Sequence, residues 1–331
     1  MSFKRLDPED FLVSVDSITA TAWSTNTPTL TTFFTSSTTS TNDAYYKNVY
    51  QTGSTLSGSA VQFALAYGNL LGSGSTNYND LVPGKTPTRT VYGQYRNLIY
   101  GDENSPFNFG GVTSSDFWAI NIERSRYKEH LLKGTFNLIL TGSGIQKLHL
   151  TDNSGMVSTD TYLDCGRVYQ IISGSNGTSF NGGTGYSPSS GSYGLFLPDI
   201  ATIILNPLAL SQSINLEPSR SNDSDGNNIT RIFTAISGAA SFQLNSEETV
   251  TSDYVYVRAR NAEFNYSENP SFISGSTGDV LYSNFINSPQ TYVTTVGFYN
   301  DTNDLVAVAK LSKPLTKDFT KEALFRVKLD F

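Results

Sequence analysis

Apolar and polar positions alternate with a period of two along much of this 331-residue chain, which predicts β-strands. The pattern is clearest at the end, where Leu324-Phe325-Arg326-Val327-Lys328-Leu329-Asp330-Phe331 alternates to the last residue and Ala323–Phe331 reads as a strand. Phe11–Ile18 carries the same signal through Phe11, Val13 and Val15. Val61–Tyr67, Phe117–Glu123, Gly134–Thr141, Lys147–Leu150, Val168–Ile172, Phe242–Leu244 and Tyr254–Arg260 alternate or form short β-prone runs. Tyr292–Tyr299 and Leu305–Leu311 flank Asn300-Asp301-Thr302-Asn303-Asp304, a hairpin turn signal. One segment follows a different period. Val91, Tyr95 and Leu98 fall at i, i+4 and i+7 between Pro87 and Gly101, predicting one short helix near 88–100 capped by the glycine.

Three stretches lack this patterning. Thr19–Thr41 is a Ser/Thr tract, favourable to extended structure but without apolar surface to bury. It reads as part of an N-terminal arm over 1–60 that docks on a neighbour. Ser173–Gly194 is a long Gly/Ser loop, and loops of about twenty residues are usually functional or contact-making. Glu217–Asn228 is polar throughout and reads as a domain boundary. The continuous run Ile200–Leu205 within Leu195–Leu205, stopped by Asn206-Pro207, predicts a strand buried on both faces. The expected fold is mainly β, with antiparallel sheets in a sandwich-like arrangement. The arm at 1–60 leads to a β-rich domain at 61–216 and a C-terminal β domain at 229–331.

Composition narrows the class. Charged residues make up 15% of the chain, while 19 Tyr and 20 Phe supply material for a core, so the chain folds. A net charge of −7 argues against nucleic acid as a partner, because phosphate binding needs a basic surface. No apolar run approaches the ~18 residues of a membrane span, and the N-terminus carries no targeting pattern. Cys165 is the single cysteine and excludes an intrachain disulfide. Sequons begin at Asn176, Asn222, Asn228, Asn265 and Asn300, as expected by chance in a chain this rich in Asn, Ser and Thr.

Catalytic motifs are not found. His130 lies in the charged Arg-Ser-Arg-Tyr-Lys-Glu-His stretch and His149 alternates with Leu148 and Leu150, so both read as surface histidines. Gly142-Ser143-Gly144 and Gly72-Ser73-Gly74 lack the strand-to-helix context of a nucleophile elbow. Gly84-Lys85-Thr86 lacks the upstream glycine of a phosphate loop. Asp223, Asp225 and Asn227 alternate around Gly226 as oxygen ligands for a hard cation would, but the later glutamate is missing and position 233 is Phe. Arg124, Arg126, Lys128 and Lys133, interleaved with Glu123 and Glu129, read as a surface ion-pair network. Trp23, Trp118, Tyr186 and Tyr193 are aromatic enough to stack on sugars, yet core packing for Trp118 and loop anchoring for the tyrosines are the favoured reading. No catalytic residue or cofactor is expected, and the chain reads as a non-enzyme.

The segment Tyr292-Val-Thr-Thr-Val-Gly-Phe-Tyr-Asn-Asp-Thr-Asn-Asp-Leu-Val-Ala-Val-Ala-Lys-Leu-Ser-Lys-Pro314 resembles a hairpin in tail and baseplate proteins of tailed bacteriophages. Arg260-Asn-Ala-Glu-Phe-Asn-Tyr-Ser-Glu-Asn-Pro-Ser-Phe272 is similar to phage virion sequence as well. Tyr92-Gly-Gln-Tyr-Arg-Asn-Leu98 and Tyr193-Gly-Leu-Phe-Leu-Pro198 resemble structural proteins of T4-like phages, in particular those of marine cyanobacteria. The resemblance touches about a third of the chain. It implies a structural subunit of a contractile tail or baseplate, assembled in the host cytoplasm and resident in the virion. Its partners are then other virion proteins, in a homo-oligomer or a symmetric hetero-assembly. Interface candidates are Phe11, Val13, Tyr186, Tyr193, Tyr292, Phe298, Tyr299, Phe325 and Phe331. The alternative is a receptor- or carbohydrate-binding module of a fibre or spike, with Tyr186 and Tyr193 as its stacking surface.

Overall fold

The computed structural model describes residues 3–35, 46–52, 59–76, 78–79, 81–142, 146–221 and 227–330. The chain forms two compact units, Ile18–Glu248 and Met1–Ser17 with Thr249–Phe331. Strand β1 (Phe11–Thr21) passes from the smaller unit into the larger.

The larger unit continues with β2 (Thr29–Leu30), β3 (Phe34–Thr35), β4 (Tyr46–Tyr50), β5 (Val61–Asn69) and helix α1 (Pro87–Tyr100). Then come β6 (Asp116–Ile122), β7 (Asn137–Thr141), β8 (Lys147–Asp152), β9 (Gly166–Ser175), β10 (Gly194–Leu197) and β11 (Thr202–Leu205). Helices α2 (Pro207–Ile214) and α3 (Asn227–Ala239) and the short β12 (Phe242–Gln243) complete it. The strands form one sheet in the order β2-β12-β7-β8-β9-β10-β11-β6-β5-β4-β3, with every adjacent pair antiparallel.

The two ends of that path are nearly consecutive in the chain. Only residues 31–33 separate β2 from β3, which holds the sheet's edges within about 14 Å of each other. The sheet therefore curls into an open barrel with this connection as its seam. Phe63 on β5 and Phe242 on β12 are far apart along the sheet, yet their ring centroids lie 5.5 Å apart. Trp23 packs on both of them.

Pleating sends alternate residues of β6 to opposite sides. Trp118, Ile120 and Ile122 join the barrel interior, which also holds apolar residues of α2 and α3. Phe117 and Ala119 point the other way, into a second core beneath α1. The continuous apolar runs of β6 and β11 follow from this, since helices or core cover both faces.

The smaller unit contains β1, β13 (Asn245–Ala259), β14 (Gln290–Tyr299), β15 (Leu305–Asp318) and β16 (Ala323–Asp330). β13 begins in the larger unit and continues into this one. A four-stranded sheet has the order β1-β13-β16, with the strand His130–Leu131 also paired to β13 at Ser246 and Glu247, while β14 and β15 form a separate two-stranded ribbon. Residues 260–289, between β13 and β14, hold one helical turn, Asn284–Asn287.

The mainly β, antiparallel class and the helix near 88–100 agree with the sequence reading. Several expectations need correction. The helix buries Thr88, Val91, Tyr92, Arg96 and Ile99 and leaves Leu98 exposed, so the apolar stripe is offset from the expected one. The arm at 1–60 does not stand apart: Trp23 is fully buried, and β2 and β3 form the barrel seam. The strand expected from the run Ile200–Leu205 forms over Thr202–Leu205 and is buried throughout, while Gly194–Leu197 is a second strand paired with it across a turn at 198–201, where Ala201 has φ +50°. The expected boundary at 217–228 lies inside the larger unit, where α3 packs on the core; the division falls at Glu248 and Thr249.

Candidate interaction surface

The two units bury apolar surface very unequally. Both apolar cores consist of residues from the larger unit. In the smaller unit the buried hydrophobic side chains are Val255, Ala259, Ala323 and Val327, against eighteen exposed large ones, among the described residues. Single exposed apolar residues are ordinary on any surface, but clusters mark contact sites.

They cluster on β1 and the ribbon. β1 is an edge strand exposed on both pleat faces: Phe11, Leu12, Val13 and Val15 are each about half or more accessible. An edge of this length carries no Lys, Arg or Pro and one charge, Asp16, so it lacks the usual devices that blunt strand pairing. The ribbon is about 33 Å long over β14. It exposes Tyr292, Tyr299, Leu305, Val306, Val308 and Leu315. Two-stranded ribbons are marginally stable in water unless something packs on them.

Polar contacts shape both elements. At the ribbon tip Asn300 Oδ1 accepts from Asp304 N at 2.7 Å and from Thr302 Oγ1 at 2.7 Å, while Asn303 sits at φ +62°. Bonds from Thr302 and Asn300 hold the Asp304 carboxyl below the usual range. At the ribbon base Lys317 is fully buried, with Nζ donating to Asn261 O at 3.1 Å, Asn265 Oδ1 at 2.8 Å and Asp318 O at 2.9 Å. Phe3 meets Tyr299 edge-on with centroids 5.2 Å apart, and Lys4 donates to Arg258 O. Across the sheet, Tyr254 on β13 lies opposite Lys328 on β16, with Arg326 5.3 Å from its ring centroid. Lys328 pairs with Asp330 at 2.8 Å, which raises the lysine and depresses the carboxyl.

The interface candidates fall into three groups. Phe11, Val13, Tyr292 and Tyr299 are exposed on this surface. Phe298 and Phe325 are half-buried on the ribbon and on β16, and Tyr186 is half-buried beside Gly110 in the larger unit. Tyr193 is core: it is buried, and its hydroxyl is 2.8 Å from Ser213 Oγ. The expected pair of exposed stacking tyrosines does not form. Phe331 lies outside the described residues, as do Asp223 and Asp225; Asn227 is the first residue of α3. No group of three or more metal-ligating side chains occurs among the described residues. Sequence patterning did not single out Leu12, Val306, Val308 or Leu324 as exposed, although Leu12 stands between Phe11 and Val13 and Leu324 beside Phe325.

The larger unit holds organised polar clusters that tie segments together. The Asp199 carboxylate receives the Arg167 side chain and backbone, including Arg167 Nε at 3.0 Å. Burial opposes ionisation of Asp199, but the bonds from Arg167 prevail and hold its carboxyl below the ordinary range. His130 is buried, against the expectation of a surface residue, with Nε2 3.0 Å from Glu247 Oε2 where the strand His130–Leu131 pairs with β13. His149 is exposed, as expected, and meets Phe180 edge-on. Arg124 and Arg126 bond to Tyr127 O and Ser125 Oγ, and Lys133 pairs with Asp160. The Gly/Ser loop is ordered by Asn206, whose Nδ2 donates to Ser190 O and Ser192 O while its Oδ1 caps α2.

No family model, curated protein or solved structure matches this chain. Among the described residues no helix is long and apolar enough to cross a membrane.

Proposed function

We propose that the chain is a structural subunit of a phage tail or baseplate, joining neighbouring virion proteins through the smaller unit. The observation that carries this reading is the imbalance in that unit: four buried hydrophobic side chains against eighteen exposed large ones. Burial at about 25 cal/mol per Å² has to offset the entropy of ordering a chain. A unit this poor in core gains what it lacks from partner surface. The edge strand β1 offers main-chain hydrogen bonds for strand addition, and the ribbon offers exposed apolar side chains. The resemblance of Tyr292–Pro314, which spans the ribbon, to phage tail hairpins supplies the biological setting. On this reading the protein resides in the virion, acts by binding and has no catalytic role.

Mass spectrometry of purified particles of a phage that encodes this chain tests the proposal. The chain is expected at a fixed stoichiometry to known tail proteins, with the smaller unit at subunit contacts in a reconstruction of the particle. Particles that lack the chain would overturn the reading.

A further inference from the structure

We infer that copies of this chain join edge to edge through the β1-β13-β16 sheet, β1 of one copy pairing with β16 of the next. The inference rests on the reading of the chain as an assembly subunit and names one of its partners as a second copy of itself.

The sheet has two ends, β1 and β16, each with a strand neighbour on one side only among the described residues. Both are regular strands without proline, so each leaves a row of backbone donors and acceptors available for another strand. Their charges are opposite. β1 carries Asp16 alone and follows Asp7, Glu9 and Asp10. β16 carries Arg326 and Lys328 on exposed positions, with Asp330 at its end.

Tyr254 stands opposite Lys328 in the β13–β16 ladder. Lys328 feels Asp330 most and the Asp16 carboxylate in addition. Within one copy, therefore, the β1 edge carries an acid and the β16 edge carries two bases. A second copy whose β1 is set against this β16 brings its acid to the edge that carries those bases. Pairing β1 with β1 would oppose two acids, and pairing β16 with β16 would oppose two pairs of bases; cross-strand like charges are unfavourable. The favoured contact is thus between unlike edges. Such a head-to-tail contact generates a closed ring or a filament, not an isolated two-fold dimer.

Sedimentation velocity of the full chain tests this, with circular dichroism to confirm that each variant folds. The natural chain is expected to associate beyond a dimer. Asp16→Lys makes both edges basic and Lys328→Glu makes both more acidic, so each variant alone is expected to need about tenfold more protein to associate, as like-charge juxtaposition opposes docking. An equimolar mixture of the two restores unlike edges and is expected to recover most of the association. Val13→Lys, at an exposed position of β1, is expected to abolish it by placing a charge on the edge. A natural chain that stays monomeric, or a mixture no better than its components, overturns the inference. A monomer that nevertheless appears in purified particles overturns self-pairing while leaving the structural role standing; a chain absent from particles sinks that role as well.

Discussion

The Tyr67 hydroxyl donates to Asp116 Oδ2 at 2.9 Å, and the same oxygen receives Arg220 Nε at 2.7 Å. Tyr67 and Asp116 stand on the paired strands β5 and β6, whereas Arg220 belongs to the segment leading to α3. Burial first, and the neighbouring Asp116 charge second, raise the Tyr67 phenol, so it remains a donor at any working pH. The carboxylate thus fastens a polar segment to the barrel.

Asp116→Ala is expected to lower stability by about 2–4 kcal/mol, since it strands a buried donor and a half-buried guanidinium. Tyr67→Phe removes one bond and is expected to cost about 1–2 kcal/mol. Urea unfolding checks both, and equal losses would contradict the central place of the carboxylate.

The Arg167–Asp199 pair predicts a pH dependence. The Asp199 carboxyl is held low in the folded protein, so its contribution is present above the unfolded carboxyl value of 3.8 and is lost as pH falls through the depressed folded value. Asp199→Asn is expected to cost about 1–2 kcal/mol near neutrality, a modest figure because the pair is part-exposed. The difference from the natural protein should shrink toward zero in strong acid. Thermal melting across that range measures it.

Phe63 touches Trp23, Phe33 and Phe242 by ring contacts across the barrel interior. Phe63→Ala is expected to cost about 3–5 kcal/mol, the usual loss for a buried aromatic. The exposed Leu98→Ala is expected to change stability by no more than about 0.5 kcal/mol. Denaturant unfolding of the two variants checks that Phe63 belongs to the packed barrel core and that Leu98 lies on the open face of α1.

Lys317→Met keeps the side-chain length but leaves three oxygens without their donor. It is expected to loosen the base of the ribbon and the segment at 261–265, read as faster proteolysis within 260–289. Unchanged cleavage would show that the buried ammonium does not hold this segment.

Local patterns were legible in the sequence, and long-range ones were not. On β16 the expected alternation holds, with Ala323 and Val327 buried and Leu324, Arg326 and Lys328 exposed. The Asn300–Asp304 turn and the Gly101 cap were equally readable, because each is decided by neighbouring residues. The two-residue β2 has no period to detect; it exists because Leu30 pairs with Phe242. The polar run at 217–228 suggested a boundary, but Arg220 and Asn228 turn their polarity inward, to Asp116 and Ser219. The actual division falls within a strand and leaves no mark in composition. Tyr186 and Tyr193 looked alike in sequence, and only packing separates a half-buried ring from a core one.

The barrel seam has a consequence for synthesis. Thr29 and Leu30 leave the ribosome well before their partners Phe242 and Gln243, which follow only after the other strands of the barrel. The closing strand must wait without its ladder, and contacts this distant in sequence form slowly. The Thr/Ser character of that stretch suits the delay, since a polar segment keeps its solubility until the last strand of the barrel arrives to receive it.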